Sequence, residues 1–342
     1  MKIMQSIESV LENVLSTLAP KPRRIVAGRY ALKGGSKATL QEIGDELNLT
    51  RERVRQIEAQ TVKKLAPLVR DQAKFFIESV KRHLESVGGA RRDDRFIEDL
   101  REAFLKNDRN AKNLPEKIRF ILRVAGEPRY VPETDLMHAY WVSSMATEKK
   151  FLNFVEKITE FFEKAGTKKV IDEKAHLAFC KDMVACHWLS IPKHIGMNVF
   201  GDVGLREWPE IEPKTVRDRA YLVLRKHGTP LHFRDIAKHI AKHRLSAHPT
   251  HMQTVHNELI KDPRFVLVGR GIYGLGEHGY ESGTVREVIA KLLKRNGPMD
   301  AKRVLGLVNE QRFLKENTVL LALQNRKHFA RLDDGRYRVK EA

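Results

Sequence analysis

The sequence predicts a mainly α-helical protein: a helix-turn-helix near the N-terminus, then tandem winged-helix domains, α-helical with small β-hairpin wings. Three observations predict it. Apolar residues recur at helical spacing through the first seventy positions. Toward the C-terminus, runs of helical pattern end in strand–turn–strand patterns. The basic excess, 63 Lys and Arg against 44 Asp and Glu for a formal charge of +19, sits at the two ends of the chain. Residues 21–70 carry net +7, residues 71–213 net zero, residues 214–275 net +8 and residues 284–342 net +7. Such a field favours a polyanion. A generally basic chain would not leave so large a balanced block in its middle.

With 342 residues, 42% of them apolar, the chain can build several small cores. No stretch approaches the ~20 consecutive apolar residues a membrane span needs. Glu8 and Glu12 interrupt the apolar run of Met1 to Leu18, so no signal peptide is expected there. The two cysteines, Cys180 and Cys186, point to a reducing cytoplasm and not to a disulfide scaffold.

From the start, Ile7, Val10, Leu11, Val14 and Leu18 mark one helix. Pro20 and Pro22 are expected to end it, with Arg23 to Tyr30 beginning another, and Gly34-Gly35 a loop. Thr39 with Glu42 three residues on is a capping-box pattern for a helix turning Leu40, Ile43 and Leu47 inward. Asn48-Leu49-Thr50 makes a tight turn, and Thr50 caps the next helix, which is expected to run through Leu65 with Pro67 just beyond. Two helices joined by so short a turn form a helix-turn-helix candidate. Val54, Ile57 and Leu65 face the core, and Arg51, Glu52, Arg55 and Gln56 share the exposed side. Long polar side chains there suit base edges: Arg guanine, Gln adenine, Glu cytosine. On periodicity alone, a solvated face with ordinary i,i+4 pairs fits equally well.

Residues 6–68 resemble region 4 of sigma-70-type bacterial sigma factors. The lead-in helix Ile7–Leu18, the stretch Arg23 to Leu32, the run Thr39 to Gly44 and above all Leu49 to Glu58 carry the resemblance. It implies that the second helix reads a promoter −35-like element in the major groove. Arg51, Glu52, Arg55 and Gln56 would then meet bases or adjacent phosphates, Arg53 the backbone, with Thr50 at the helix start. Pro22 and Gly28 depart from the family, in the region it uses to dock on the polymerase flap. No region 2 pattern precedes the match, so a complete sigma factor is not expected.

Further along, Val216–His227, a helix from Phe233 through Ile240, and Pro249–Ile260 are expected helices; Phe265–Val268 and Ile272–Leu275 flank Gly269-Arg270-Gly271 as a hairpin. The pattern repeats with Val285–Arg295, Arg303–Asn309, Lys315–Asn325 and a hairpin turning at Asp333-Asp334-Gly335. Residues 217–275 resemble the HARE-HTH domain through Gly228 to Ile236, Asp262 to Val266 and Gly269 to Leu275. This implies contact with DNA or with transcription machinery. Arg234, Lys238 and Lys242 on the second helix, Arg244 after it and Arg270 on the wing are the phosphate-contact candidates, matched by Arg326, Lys327, Arg331 and Arg336 in the last domain. The neutral middle reads as two degenerate copies. One comprises Phe75–Val87, Phe96–Leu105, Pro115–Val124 and a hairpin in Arg129–Val142; the other Phe151–Lys164, Val170–Phe179, Met183–His194 and a hairpin in Val199–Trp208. A plain helical linker domain is the alternative. The expected domains are therefore 1–70, 71–143, 144–213, 214–278 and 283–342.

Chemistry is sparse. Seven of the fourteen histidines fall between His227 and His256, and His239 and His243 share a helix face, but no cysteine or paired carboxylate completes a zinc set. Cys180 and Cys186-His187, beside Phe179, Val184 and Trp188, read as core packing. No glycine loop suits a phosphate cofactor. The sequence thus points to a non-enzymatic, sequence-specific transcription regulator, cytoplasmic and nucleoid-associated, without cofactor or metal. Its expected partner is double-stranded DNA, with RNA polymerase core a further partner implied by the resemblance. The alternatives are a delta-like polymerase accessory protein and a DNA-binding subunit of a restriction or repair system.

Overall fold

The computed structural model describes residues 7–104, 112–165 and 187–340. The chain divides into two compact units, residues 1–196 with 202–206, and residues 197–201 with 207–342.

The first unit opens with α1 (Ile7–Ser16), which buries Ile7, Val10, Leu11, Val14 and Leu15. The next helix, α2 (Pro20–Arg29), starts at the first proline instead of after the second. Proline in a first helical turn gives up an amide that has no partner there anyway, and its fixed φ suits the helix. So Pro20 and Pro22 begin α2, while α1 has already ended at Ser16.

Helix α3 (Leu40–Leu47) has the expected capping box. The Thr39 amide donates to Glu42 Oε2 at 2.7 Å, and the Glu42 amide donates to Thr39 Oγ1 at 3.1 Å. Asn48 takes the left-handed conformation, the Leu49 amide donates to the Gly44 carbonyl at 2.9 Å, and Thr50 caps α4 (Arg51–Gln72). A Cβ on Gly44 would lie 2.6 Å from the Leu49 carbonyl oxygen, so the tightness of this turn depends on glycine. Helix α4 does not stop before Pro67 but carries it inside. Proline costs its helix the bond to the carbonyl four residues back. Here Pro67 and Lys63 are both exposed, so water can serve that carbonyl, while Leu65 and Val69 stay buried on the opposite side.

Two apolar clusters hold this region. A small one joins Ile25, Ile43 and Val54 across α2, α3 and α4. A large one takes α1 and the second half of α4, then α5 (Lys74–Ser86), α6 (Asp93–Phe104), α7 (Leu114–Ala125) and Trp141. The helix-turn-helix is therefore packed into the helices that come after it in the chain, and position 70 lies inside α4. Polar ties reinforce the join. The Lys117 ammonium, nearly buried, donates to Glu8, and Arg70 donates to the Ala125 carbonyl at 2.7 Å.

Strands β1 (Ala90–Arg92), β2 (Arg129–Val131) and β3 (Tyr140–Val142) form an antiparallel sheet in the order β1-β3-β2. With α5, α6 and α7 this gives helix, strand, helix, helix, hairpin, a winged helix. Helix α8 (Met145–Ala165) packs Phe151 and Val155 against Ala90, Tyr140, Val142 and Ile191. Burial and the neighbouring Glu148 push the Tyr140 hydroxyl up to about 12. The second middle copy is altered. Its expected helix Val170–Phe179, and both cysteines, lie outside the described residues. The expected helix Met183–His194 is not helical beyond Trp188; Pro192 pairs with Met137 instead. The hairpin begins at Ile195: β4 (Ile195–Met197) pairs with β5 (Val203–Leu205).

The second unit contains two winged helices. In the first, α9 (Val216–His227) is capped by Thr215 with Asp218 and closed by left-handed Gly228. Then come β6 (Leu231–His232), α10 (Phe233–Lys242), α11 (Met252–Lys261), β7 (Phe265–Gly269) and β8 (Ile272–Leu275). The sheet order β6-β8-β7 repeats that of β1-β3-β2. Helix α11 starts at Met252 and not at the expected Pro249. Arg264 ties the domain together, reaching Asp262 at 2.6 Å and Asp218 at 3.1 Å with its guanidinium 4.8 Å from the Tyr221 ring centroid.

In the second, α12 (Val285–Asn296), α13 (Ala301–Gln311) and α14 (Glu316–Leu323) precede β9 (Phe329–Arg331) and β10 (Tyr337–Val339). Met299 pairs with Tyr337 where the other winged helices have a first strand. The two domains are joined edge to loop. The Phe313 amide donates to the Val268 carbonyl at 2.7 Å, beside the irregularity in β7 between Leu267 and Gly269. Buried Arg312 donates to the Leu267 carbonyl and, at 2.6 and 2.8 Å, to those of Glu281 and Gly283. These acceptors are neutral, and burial lowers the Arg312 pKa. Such a cation costs desolvation energy, but it fixes three backbone segments at once.

Candidate nucleic-acid interface

The first turn of α4 is where side chain and backbone converge. Thr50 sits in extended conformation and accepts the Arg53 amide at 3.2 Å, which fixes where the helix begins. Val54 is fully buried against Ile25 and Ile43, which fixes how the helix is rotated. Arg51, Glu52, Arg53, Arg55 and Gln56 are then all exposed. Arg29 supports the frame from behind, donating to the Ala38 carbonyl at 2.6 Å and to Glu58 at 3.2 Å.

These exposed side chains engage one another. Glu52 accepts from Arg55 Nε at 2.8 Å and Nη2 at 2.7 Å, and from Gln56 at 3.4 Å. Arg53 donates to Gln56 Oε1 at 3.2 Å. The Arg55 guanidinium holds the Glu52 carboxyl below its ordinary value, and Glu52 raises Arg55 in turn. The pair is wholly solvent-facing, and exposed pairs typically contribute only ~0–1 kcal/mol. A guanine edge or a phosphate can therefore replace Glu52 as the partner of Arg55 at little cost. Sequence reading placed these residues on one face but missed this internal pairing, although the i,i+3 spacing of Glu52 and Arg55 allows it.

In the first winged helix of the second unit, Arg234, Lys238 and Lys242 are exposed along α10, and Arg270 is exposed at the turn of the wing. Lys238 is held by Asp235 at 2.9 Å, and the Arg234 guanidinium lies 5.9 Å from the Phe233 ring centroid. The histidines gather nearby. His239 stacks on His243 with centroids 6.0 Å apart and lies 5.8 Å from His227. Among the described residues no group of three or more His, Cys, Asp or Glu is arranged to hold a metal ion. Of the last domain's candidates, Arg336 is neutralised, paired with Asp334 at 2.5 Å. The signal for this pair was the Asp-Gly-Arg spacing across the hairpin turn. Lys340 was missed by sequence reading because it belongs to no motif.

Comparison with known proteins agrees with this geometry. Residues 14–66 match the family model for Sigma-70, region 4. Residues 214–277 match that for HARE-HTH, the ASXL and restriction endonuclease HTH domain. The chain is 54% identical over 55 residues to the RNA polymerase sigma factor SigA of Microcystis aeruginosa, a match covering 16% of this chain and 13% of that protein. It is 42% identical over 59 residues to SigA of Clostridium acetobutylicum, covering 17% and 16%. It is 33% identical over 75 residues to the sigma factor RpoD of Neisseria gonorrhoeae, covering 22% and 12%. The chain thus spans less than a fifth of the length of each of these relatives. Both matched modules are DNA-binding domains, and the helix-turn-helix of α3 and α4 is of the sigma region 4 type. No described helix is long and apolar enough to cross a membrane.

Proposed function

We propose that the protein is a sequence-specific regulator of transcription that recognises a promoter −35-like element through α4. The observation that carries this reading is the exposed set Arg51, Glu52, Arg55 and Gln56, aimed by the Thr50 cap and the buried Val54. A helix N-terminus bearing these donors and acceptors is what major-groove readout requires. The apolar sides of α1 and α4 are packed against α7 of the same chain, which leaves the polar start of α4 as an outward surface. Cations on the second unit, Arg234, Lys238, Lys242 and Arg270 among them, would hold phosphates and supply affinity without sequence preference. The protein acts in this reading by binding, without catalysis.

Selection of bound duplexes from a random-sequence library tests it. The expected result is one enriched motif resembling a −35 element. Recovery of unenriched sequence despite tight binding would contradict the reading.

A further inference from the structure

The last winged helix is basic in an unexpected place. Its third helix, α14, has no Lys or Arg and leaves Leu321 69% exposed. Its hairpin tip carries Asp333 and Asp334, with Arg336 already bound to Asp334. The cations collect instead in a cleft of about 630 Å³ between the end of α14 and the β9–β10 hairpin. Arg326, Arg331 and Lys340 line it with Gln324 and Tyr337, and no carboxylate does. None of the three cations has an ion pair among the described residues. Arg331 lies 5.9 Å from the Tyr337 ring centroid, and the Lys340 amide is pinned to the His328 carbonyl at 2.9 Å.

We propose that this cleft is a binding site for the phosphate backbone of DNA, separate from α4 and from the wing tip of its own domain. Physical chemistry chooses the ligand. The cations are exposed, so a small free anion would gain only the ~0–1 kcal/mol of an exposed pair from each. A polyanion gains more, because every phosphate neutralised releases condensed counterions. Gln324 and the Tyr337 hydroxyl add neutral donors of the kind that commonly bond phosphate and sugar oxygens. The inference rests on the proposed DNA-binding function, but the site carries affinity and not sequence choice.

The test uses the full chain carrying Arg326→Gln, Arg331→Gln and Lys340→Gln together, with Arg336→Gln as the control. All four side chains are exposed, so the fold is expected to persist, and circular dichroism with thermal melting checks this. Binding to a duplex of scrambled sequence is measured across a salt series. Each lost phosphate contact lowers the slope of log affinity against log salt by about 0.9, so the triple variant is expected to lose two to three units of slope. Arg336→Gln is expected to lose none. An unchanged slope in the folded triple variant overturns the site. So does an equal loss in Arg336→Gln, which would mark a bulk charge effect. Failure of the −35-like reading would show separately, as absence of an enriched motif in the wild type.

Discussion

Truncation after Arg206 is expected to weaken binding to duplex DNA by on the order of a thousandfold at 0.1 M salt, and to leave the preferred sequence unchanged. The removed unit holds the segments of net +8 and +7. Within it Arg234, Lys242, Arg244, Arg270, Arg326 and Arg331 are exposed and have no ion pair among the described residues. If four to six of these meet phosphates, the salt slope falls by roughly 4–5 units. The retained unit keeps α3, α4 and both apolar clusters beneath them, so its sequence choice should survive. Binding isotherms of the whole and truncated proteins across a salt series, with motif selection repeated on both, give the answer. Retained affinity and slope would mean that the second unit faces a protein partner. A changed motif would mean that the winged helices read bases.

Trp141→Ala is expected to destabilise the first unit by about 3–5 kcal/mol, the range for emptying a buried aromatic site. Trp141 is fully buried, its ring centroid 5.0 Å from that of Tyr130 and 6.1 Å from that of Phe96, and its indole N–H donates to Asp93 at 2.8 Å. The cluster it belongs to also holds Leu65 and Val69 of α4. The damage should therefore reach the helix-turn-helix from a site far along the sequence. Urea unfolding gives the magnitude, and hydrogen exchange of the α4 amides locates it. Protection in α4 should fall together with that in β3. If β3 opens while α4 keeps its protection, the helix-turn-helix has a core of its own.

The helix-turn-helix was legible because its signals are local. A capping box, a left-handed Asn48 and a glycine turn each act within a few residues, and each appears where the sequence placed it. The winged helices were legible for a similar reason, since strand–glycine–strand patterns are short. What could not be read depended on tertiary context. Pro67 interrupts a helix only if nothing beyond it rewards continuing; burial of Val69 in the large cluster does so. The join made by Arg312 was invisible because its acceptors are backbone carbonyls, which no side-chain pattern announces. Site residues on α4 could be named from sequence, whereas the pairing of Glu52 with Arg55 needed rotamers. The basic cleft of the last domain gathers Arg326, Arg331 and Lys340 from separate segments, so only the fold brings them together.

The central claim is that the first turn of α4 chooses the sequence. Competition between a selected duplex and its scrambled counterpart, run with wild type and Arg55→Ala, tests it most directly. A bidentate side chain on a base edge contributes ~1–3 kcal/mol of discrimination, so the variant should lose about 5- to 150-fold in preference while binding scrambled duplex nearly as well as wild type. Unchanged preference in Arg55→Ala, with the fold intact, would contradict the assignment of α4 as the reading helix.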